Sequence, residues 1–354
     1  MEAYLKPPEK TGPPDEEYDK TRRQFQGIPG IECSRSGRLW ATWYGGGTGE
    51  DHHNYVLLAT RKTEGAGQFD TKLIVDPDGD GPVRAFDPCL WHDPEGKLWL
   101  FWAQGYEGHT DERSGVWAIK TDKSDDEDPQ WSEPQRLCDG IMMNKPLVLS
   151  SGDWLLPTAR WHQDGSAQVH ASTNKGKSWD LRGKANVPSE ADRNCDEHMV
   201  VERKNGDLWM LVRTSYGIGE SVSHDRGRFW SPVEPSGIEH PTSRFFVRRM
   251  ESGNLLLCKH GPIDCRTGRS HLMAFLSDNE GQSWEGGLML DERDGVSYPD
   301  GAQRDDSLIY IIYDRDRRGA EEILMAQFRE EDILREKLSS DDSRLRIVVN
   351  KAGG

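Results

Sequence analysis

The chain has 354 residues, of which 34% are hydrophobic and 30% are charged. The 61 aspartates and glutamates outnumber the 45 lysines and arginines, so the formal net charge is −16. Such an acidic surface disfavours nucleic acid and anionic membranes as partners, and the absence of an 18-residue apolar run predicts no transmembrane helix. An anionic small ligand would therefore need a local cluster of arginines.

The beginning of the chain, residues 1–20, is rich in proline and charge. We interpret it as an N-terminal extension of one domain that covers residues 21–350. It has no apolar stretch typical of a signal peptide, which fits a cytoplasmic protein or one whose signal was removed, and the location stays open. The six cysteines have no Cys-x-x-Cys spacing and are expected to be mostly buried free thiols.

A turn residue followed by an aromatic or β-branched strand recurs along the whole chain, at intervals of 47 to 59 residues. The six copies begin at Gly37, Gly96, Gly152, Gly206, Gly253 and Ser307. Other short apolar runs flank each copy, so each repeat has three or four strands. Helical periodicity is absent except near residues 330–337. This pattern predicts an all-β fold, a six-bladed β-propeller of four-stranded antiparallel blades.

A second phrase, with the template Ser-x-Asp/Asn-x-Gly-x-x-Trp, begins at Ser172, Ser223 and Ser277. The Ser and Asp/Asn side chains can hold a tight turn, the Gly can adopt positive φ, and the Trp can anchor the turn. Because two independent motifs share one period, a two-sheet sandwich with accidental repeats is the weaker alternative. The phrase matches the Asp box of sialidase-type propellers, where it lies on the outer rim, so we interpret it as structural.

The chain also resembles the sialidase superfamily in its candidate site residues. The family places a glutamate upstream of an arginine on the strand that leads into one box. Here Glu197 precedes Arg213 by 16 residues, and Arg269 stands eight residues before the next box. The family then has a tyrosine at the start of the last blade and an acid after its inner strand, which Tyr298 and Asp314 match.

The resemblance implies a role for each of these residues. Arg213 and Arg269 would hold a sugar carboxylate, since guanidinium groups bind carboxylates in a bidentate manner. Tyr298 would be the nucleophile, with Glu197 as the carboxylate that accepts its proton. The acid that protonates the leaving oxygen would come from the first blade, where we favour Asp51 slightly over Glu50.

One departure from the family pattern concerns the carboxylate clamp. Sialidases open with an Arg-Ile-Pro signature whose arginine is one of three clamp arms, but this chain has Gly27 before Ile28 and Pro29. Three arginines from other blades are candidates to replace the lost arm: Arg84, Arg244 and Arg315.

Further polar residues are candidates for substrate binding: His52, Asp87 and Arg84. The adjacent His52 and His53 are expected to point to opposite faces of a strand, so we predict no metal site there. The acidic run from Asp76 to Asp87 has the spacing of a calcium loop but lacks flanking helices, and we interpret it as a turn between blades. No metal or cofactor is expected.

The sequence thus predicts a sialidase-like exo-acting glycoside hydrolase that cleaves a terminal acidic sugar, sialic acid or a relative, from a glycan. Two alternatives stay open. The same propeller could be another glycosidase or a lyase for a uronic-acid sugar, in which Tyr or His removes a proton, or it could bind glycans or proteins without turnover. The sugar, the linkage and the oligomeric state are not determined by the sequence.

Overall fold

The computed structural model describes residues 2–62, 68–106, 113–160 and 163–353, except the side chain of Asp196. Their strands form six antiparallel sheets, which are the blades of a six-bladed β-propeller. The predicted all-β class and blade number are therefore confirmed. In the described ranges, no helix is both long and apolar enough to cross a membrane.

The sheets are numbered in the order in which their strands occur along the chain. The first contains β1 (Glu9–Thr11), β2 (Gln26–Cys33), β3 (Leu39–Gly45), β4 (Tyr55–Arg61) and β5 (Asp70–Asp76). The second contains β6 (Val83–His92), β7 (Leu98–Tyr106), β8 (Gly115–Thr121) and β9 (Gln135–Asp139). The third contains β10 (Leu147–Val148), β11 (Trp154–Ala159), β12 (Ser166–Ser172) and β13 (Asp180–Asn186).

The other three sheets are built in the same way. The fourth contains β14 (Arg193–Glu202), β15 (Leu208–Thr214), β16 (Ile218–Ser223) and β17 (Glu234–Pro235). The fifth contains β18 (Phe246–Arg249), β19 (Leu255–His260), β20 (Leu272–Ser277) and β21 (Glu285–Asp291). The sixth contains β22 (Val296–Gln303), β23 (Ile309–Arg315), β24 (Glu322–Phe328) and β25 (Arg344–Lys351).

The part of the chain that the structure describes contains only short helical segments. One α-helix, α1 (Glu330–Leu334), separates β24 from β25, close to the single helical pattern of the sequence. Four 3-10 turns lie at Ala3–Leu5, Glu16–Tyr18, Lys20–Arg22 and Glu190–Asp192. Strand β1 pairs with β5, so the N-terminal extension adds a fifth strand to the edge of the first sheet and leaves fewer unpaired edge groups there.

The chain divides into two compact units. The first unit comprises Met1–Met143, Gly295–Phe328 and Arg344–Gly354, and the second comprises Asn144–Asp294 and Arg329–Ser343. The first unit contains the first, second and sixth sheets, and the second unit contains the other three together with α1. The candidate site residues of the sequence are distributed over both units.

Apolar side chains from adjacent sheets form the core of each unit. In the first unit, buried residues of the first and sixth sheets, among them Trp43, Leu57 and Tyr310, pack in one cluster. In the second unit, Leu155, Val169 and Met210 belong to a cluster of the third and fourth sheets. Burial of this apolar area is the main force that holds blade against blade.

The repeated Ser-x-Asp/Asn-x-Gly phrase forms the same turn in its three copies. The serine Oγ accepts a hydrogen bond from the glycine N–H four residues later, at 2.8 Å for Ser172 and Ser223 and at 2.9 Å for Ser277. The Asp or Asn oxygen accepts from the N–H four residues on, as Asn174 does from Ser178 at 3.0 Å. The predicted turn-holding role of these side chains is confirmed.

Candidate active site

Three first strands of the first unit share one irregularity. In β2, β6 and β22 the pairing register shifts by one extra residue, and the residue before a proline adopts a left-handed conformation. These residues are Ile28, Asp87 and Tyr298, with φ of 53°, 48° and 55°. Such bulges re-aim side chains at the cost of backbone strain. The sequence-predicted Asp87 and Tyr298 therefore occupy equivalent positions, and both are buried.

The ring of Tyr298 lies against a guanidinium group. The Cζ atom of Arg317 is 4.2 Å from the ring centroid. Arg317 donates from Nε to Asp314 at 3.0 Å and from Nη1 to Glu50 at 2.9 Å. A longer contact of 3.5 Å joins Nη2 to the Ser297 hydroxyl. The structure thus brings Tyr298 and Asp314, two of the predicted residues, together around an arginine that the sequence interpretation did not include.

The Asp314 carboxylate is fully buried and has several donors. Besides Arg317, it accepts from the Ser297 hydroxyl at 2.7 Å and from the Ile28 N–H at 2.8 Å. Burial alone would lower the pKa of Arg317, but Asp314, with Tyr298, Tyr44 and Glu50, raises that pKa well above its usual value. The guanidinium therefore keeps its charge in this buried place.

Gly27 leaves the space in which Arg317 lies. A Cβ atom built on Gly27 would be 2.6 Å from Cδ and 2.9 Å from Cγ of Arg317. It would also be 2.9 Å from Oδ2 of Asp314. Contacts this short exceed normal packing, so a side chain at position 27 and Arg317 exclude each other as placed.

The loop that carries Asp51 is held by its own hydrogen bonds. The two carboxylate oxygens of Asp51 accept from the N–H groups of His53 and Thr48, at 3.0 and 3.2 Å. The side chain is 22% exposed. Asp51 thus fixes a turn while it stays accessible, whereas its neighbour Glu50 contacts Arg317.

The expectation for the histidine pair is wrong. His52 and His53 lie in a turn, not on a strand, and their ring centroids are only 3.9 Å apart. A turn does not alternate its side chains as an extended strand does, so the two rings stack on each other. His53 also faces Asp51, with 3.5 Å between Nδ1 and Oδ1.

Arg84 is almost completely buried, with 1% of its surface exposed. Its guanidinium lies over the Phe86 ring, 4.0 Å from the centroid, and Nη1 donates to Asn54 Oδ1 at 3.2 Å. The same Asn54 oxygen accepts from the Asp51 N–H at 2.9 Å. Arg84 therefore supports the Asp51 loop through Asn54, whose side-chain oxygen accepts both hydrogen bonds.

In the second unit, Glu197 and Arg213 form a buried ion pair. Arg213 Nη1 lies 2.6 Å from Glu197 Oε1, and the two side chains are 8% and 1% exposed. The register of β14 shifts between Arg193 and His198, which places Glu197 in an irregular stretch beside β15. The sequence spacing of 16 residues thus corresponds to a direct contact.

Arg213 and Arg269 both contact Thr242. Arg213 Nε donates to the Thr242 hydroxyl at 3.3 Å, and Arg269 Nη2 donates to the Thr242 carbonyl at 3.3 Å. Two arginines that are 56 positions apart in the sequence therefore share one residue of the β17–β18 loop. Their guanidinium groups come from two adjacent sheets of the same unit.

Two of the candidate replacement arginines have other partners. Arg244 is buried and donates from Nε to Asn144 Oδ1 at 2.7 Å, while Asn144 donates to the His198 carbonyl at 2.7 Å. Arg315 pairs with Glu322 on the adjacent strand at 3.0 Å. Because neighbours on a strand point to opposite faces, Arg315 faces away from the side on which Asp314 meets Arg317.

A further buried cation of the second unit was missed by sequence reasoning. Lys259 Nζ donates to the carbonyl oxygens of His260, Gly261 and Pro262, at 2.5 to 2.8 Å. Burial lowers the pKa of Lys259 to about 8. Since the ammonium group satisfies three carbonyls of the turn after β19, we interpret Lys259 as a structural support of that turn.

A cavity of about 580 Å³ lies elsewhere in the first unit. It is lined by the N-terminal extension, the start of β5 and the end of β25, including Tyr18, Arg23, Phe69 and Val349. None of the candidate site residues lines this cavity. Its lining mixes acidic and basic side chains, which gives no preference for one ligand charge.

Comparisons with known proteins agree with this architecture. The model of the BNR repeat-like domain matches residues 37–311. No curated protein matches the chain. Similar solved structures include the Hadza microbial sialidase Hz136, with 18% identity and a TM-score of 0.67 over 83% of this chain. The chain spans 64% of the length of that sialidase.

Two further structures cover most of the chain. The intramolecular trans-sialidase from Ruminococcus gnavus, in complex with oseltamivir carboxylate, has 14% identity and a TM-score of 0.68, over 93% of this chain and 99% of that one. The NanB sialidase from Streptococcus pneumoniae has 12% identity and a TM-score of 0.69, over 89% and 70%. At these identities the likeness establishes a common fold.

Proposed function

Because the chain belongs to the BNR repeat-like domain family, we propose that it is a sialidase-like glycoside hydrolase that removes a terminal acidic sugar from a glycan. The observation that carries the proposal is the environment of Tyr298. This phenol lies in a left-handed bulge at the start of the last blade, with a guanidinium over its ring and a buried carboxylate beside that guanidinium. Strained, buried polar residues of this kind cluster at active sites.

In the proposed reaction, the Tyr298 oxygen attacks the anomeric carbon while the bond from that carbon to the leaving oxygen breaks. Glu197 accepts the phenol proton, and Asp51 donates a proton to the leaving oxygen. Water then attacks the anomeric carbon and releases Tyr298, with Asp51 as the base. The exposure of Asp51 fits a residue that exchanges protons with solvent.

Arg213 and Arg269 are the proposed carboxylate ligands. Their common contact with Thr242 supports this role, because two guanidinium groups held by one residue can approach the same anion. We propose that the sugar site is lined by His52 and Asp87. Arg84 is proposed to contribute to substrate binding by supporting the Asp51 loop through Asn54.

Substitution of Tyr298 by phenylalanine tests the proposal. The change removes the nucleophilic oxygen and keeps the ring beneath Arg317, so kcat should fall by about 10³-fold or more while the thermal unfolding temperature is unchanged. The assay is fluorescence released from a 4-methylumbelliferyl sialoside, with the matching glucuronide as a second substrate. The matched control is Tyr310→Phe, a buried tyrosine of the same blade.

The outcomes of this assay also separate the alternatives. Release from both substrates at the unchanged rate in Tyr298→Phe would remove the nucleophile assignment. A uronate lyase, which the glycine at position 27 favours because one carboxylate arm is lost from the strand, would instead yield an unsaturated product that absorbs in the ultraviolet. No turnover of any acidic glycoside by the unaltered protein would reject the hydrolase proposal.

A double-mutant cycle tests whether Tyr298 and Glu197 take part in the same step. If Tyr298 and Glu197 act in the same step, Tyr298→Phe and Glu197→Gln together should reduce kcat by much less than the product of their single effects. Independent effects that multiply would show that Glu197 has no part in the step that uses Tyr298.

A further inference from the structure

We propose that Arg317 supplies the guanidinium that is missing at Gly27 and binds the carboxylate of the acidic sugar beside Tyr298. This inference rests on the proposed function and adds a residue to it. The arginine that is absent from β2 would thus be replaced by one from the segment after β23.

The first step of the argument is space. The Cγ and Cδ atoms of Arg317 lie where the first side-chain atom of residue 27 would be, at 2.9 and 2.6 Å from it. Glycine at position 27 is therefore a requirement of the present Arg317 conformation. The space holds the side chain of residue 317 or one at position 27 but not both, although the two positions are 290 residues apart in the sequence.

The second step is placement. Arg317 is 13% exposed, so solvent reaches part of the group, and it lies over the ring that carries the proposed nucleophile. Asp314 binds Nε at 3.0 Å and is itself fixed by Ser297 and the backbone of β2. A guanidinium held through Nε keeps its two terminal nitrogens directed outward as a fork that matches a carboxylate.

The third step is the state of those terminal nitrogens. Nη1 binds Glu50 at 2.9 Å, and Nη2 is 3.5 Å from the Ser297 hydroxyl, which is a weak contact. Glu50 is 27% exposed. This partly exposed carboxylate binds one of the two terminal nitrogens, at a place where a ligand carboxylate would also bind, so the sugar would displace Glu50 from Nη1.

Two other arginines of the first unit, Arg84 and Arg315, do not fit the role. Arg84 is 1% exposed and is covered by Phe86 and Asn54. Arg315 pairs with Glu322 on the opposite face of β23. Arg317, by contrast, lies over the Tyr298 ring.

The test measures binding of two ligands by calorimetry, the 2,3-unsaturated sialic acid analogue and its methyl ester, which lacks the negative charge. Arg317→Met should weaken binding of the acid by about 10- to 100-fold and leave the ester nearly unchanged. Glu50→Gln should tighten binding of the acid several-fold, because the competing charge is gone. Arg315→Met is the matched control and should leave both affinities unchanged.

A transfer experiment tests the spatial part of the inference. Gly27→Arg alone should bind the acid poorly, since its side chain collides with Arg317. The double variant Gly27→Arg with Arg317→Gly returns one guanidinium to the same space and should recover at least tenfold in affinity relative to Arg317→Met. Thermal unfolding of each variant shows whether it is folded.

The outcomes distinguish this inference from the function on which it rests. If the unaltered protein binds neither ligand, the acidic-sugar function fails, and the assigned role of Arg317 fails with it. If the unaltered protein binds the acid but Arg317→Met weakens acid and ester equally, Arg317 only supports the fold, and the inference alone is overturned. If Arg317→Met does not fold, a Glu50→Gln variant that binds the acid no more tightly overturns the inference.

Discussion

The two units hold a buried carboxylate in different ways. In the second unit, Glu197 is bound by Arg213 at 2.6 Å, and both side chains are almost fully buried. In the first unit, Asp314 is bound by Arg317 but also by a hydroxyl and a backbone N–H, and Arg317 contacts a second carboxylate. The first arrangement is a compact pair, and the second is a network with an exposed edge.

This difference predicts which of the two arginines can be replaced with little loss of stability and which cannot. A buried pair that loses one charge leaves the other without compensation. A network that loses its cation still satisfies Asp314 through Ser297 and Ile28. We therefore expect Arg213 to contribute more to stability than Arg317 does.

The sharpest test of this comparison replaces each arginine by methionine. Arg213→Met should lower the free energy of unfolding by about 3–5 kcal/mol, because buried Glu197 loses its ion-pair partner. Arg317→Met should cost only about 1–2 kcal/mol, since Asp314 keeps its other donors. Urea denaturation followed by tryptophan fluorescence measures both.

The double variant Arg213→Met with Glu197→Gln is the control for the larger effect, and it should recover part of the loss because no charge is left unpaired. Equal stability of the two single variants would contradict the expected difference between the two arginines. If Arg213→Met does not fold, Arg213→Lys keeps the charge and should unfold at an intermediate denaturant concentration.

A second test uses one glycine from each unit. A Cβ on Gly183 of β13 would overlap the backbone carbonyl oxygen of Gly227, whereas a Cβ on Gly27 meets the Arg317 side chain. Because backbone cannot move aside, Gly183→Ala should cost about 2–3 kcal/mol and Gly27→Ala about 1 kcal/mol. Denaturant midpoints check both values, and the reverse order would show that Arg317 is as rigid as backbone.

The smallest expected effect concerns a carboxylate that hydroxyl and backbone N–H groups hold. Although burial alone raises the pKa of Asp332 in α1, hydrogen bonds from Ser343, the Arg329 N–H and Ser339 lower it from 3.8 to about 2. The native state thus binds fewer protons than the unfolded state, and the stabilisation is present above pH 4. It should be lost as the pH falls from about 4 to about 2, by about 1–2 kcal/mol.

The pH series is measured by chemical denaturation of the unaltered protein and of two variants. Asp332→Asn should be less stable at neutral pH and lose this part of the acid dependence. Asp341→Asn, an exposed neighbour on the same segment, should keep it. Identical acid curves for all three would assign the acid sensitivity to other carboxylates.

Local patterns explain what could be predicted from the sequence. The Ser172, Ser223 and Ser277 turns use side chains within five residues of one another, so their phrase predicted the blades. The resemblance selected Glu197 and Arg213 by their spacing of 16 residues, and the structure adds their direct contact, which the sequence interpretation did not include. Such short-range rules do not depend on the rest of the chain.

Arg317 and the histidine pair show why the rest was not predicted. Arg317 depends on an absent side chain at the other end of the sequence, and no local pattern records that. The strand expected at His52 and His53 overlooks a local signal, because the glycine-rich run at residues 45–49 that precedes them is typical of a turn. A usable signal did exist for the bulges: Ile28, Asp87 and Tyr298 each precede a proline and stand 15 residues before a buried aromatic residue.

Those three bulges have a consequence for how such a protein changes during evolution. The backbone adopts nearly the same φ whether the position holds an aliphatic, an acidic or a phenolic side chain, so the bend is compatible with all three. The three blades thus hold chemically different side chains at equivalent backbone positions. A single codon change at residue 28 or 87 could introduce a new reactive group without any redesign of the scaffold.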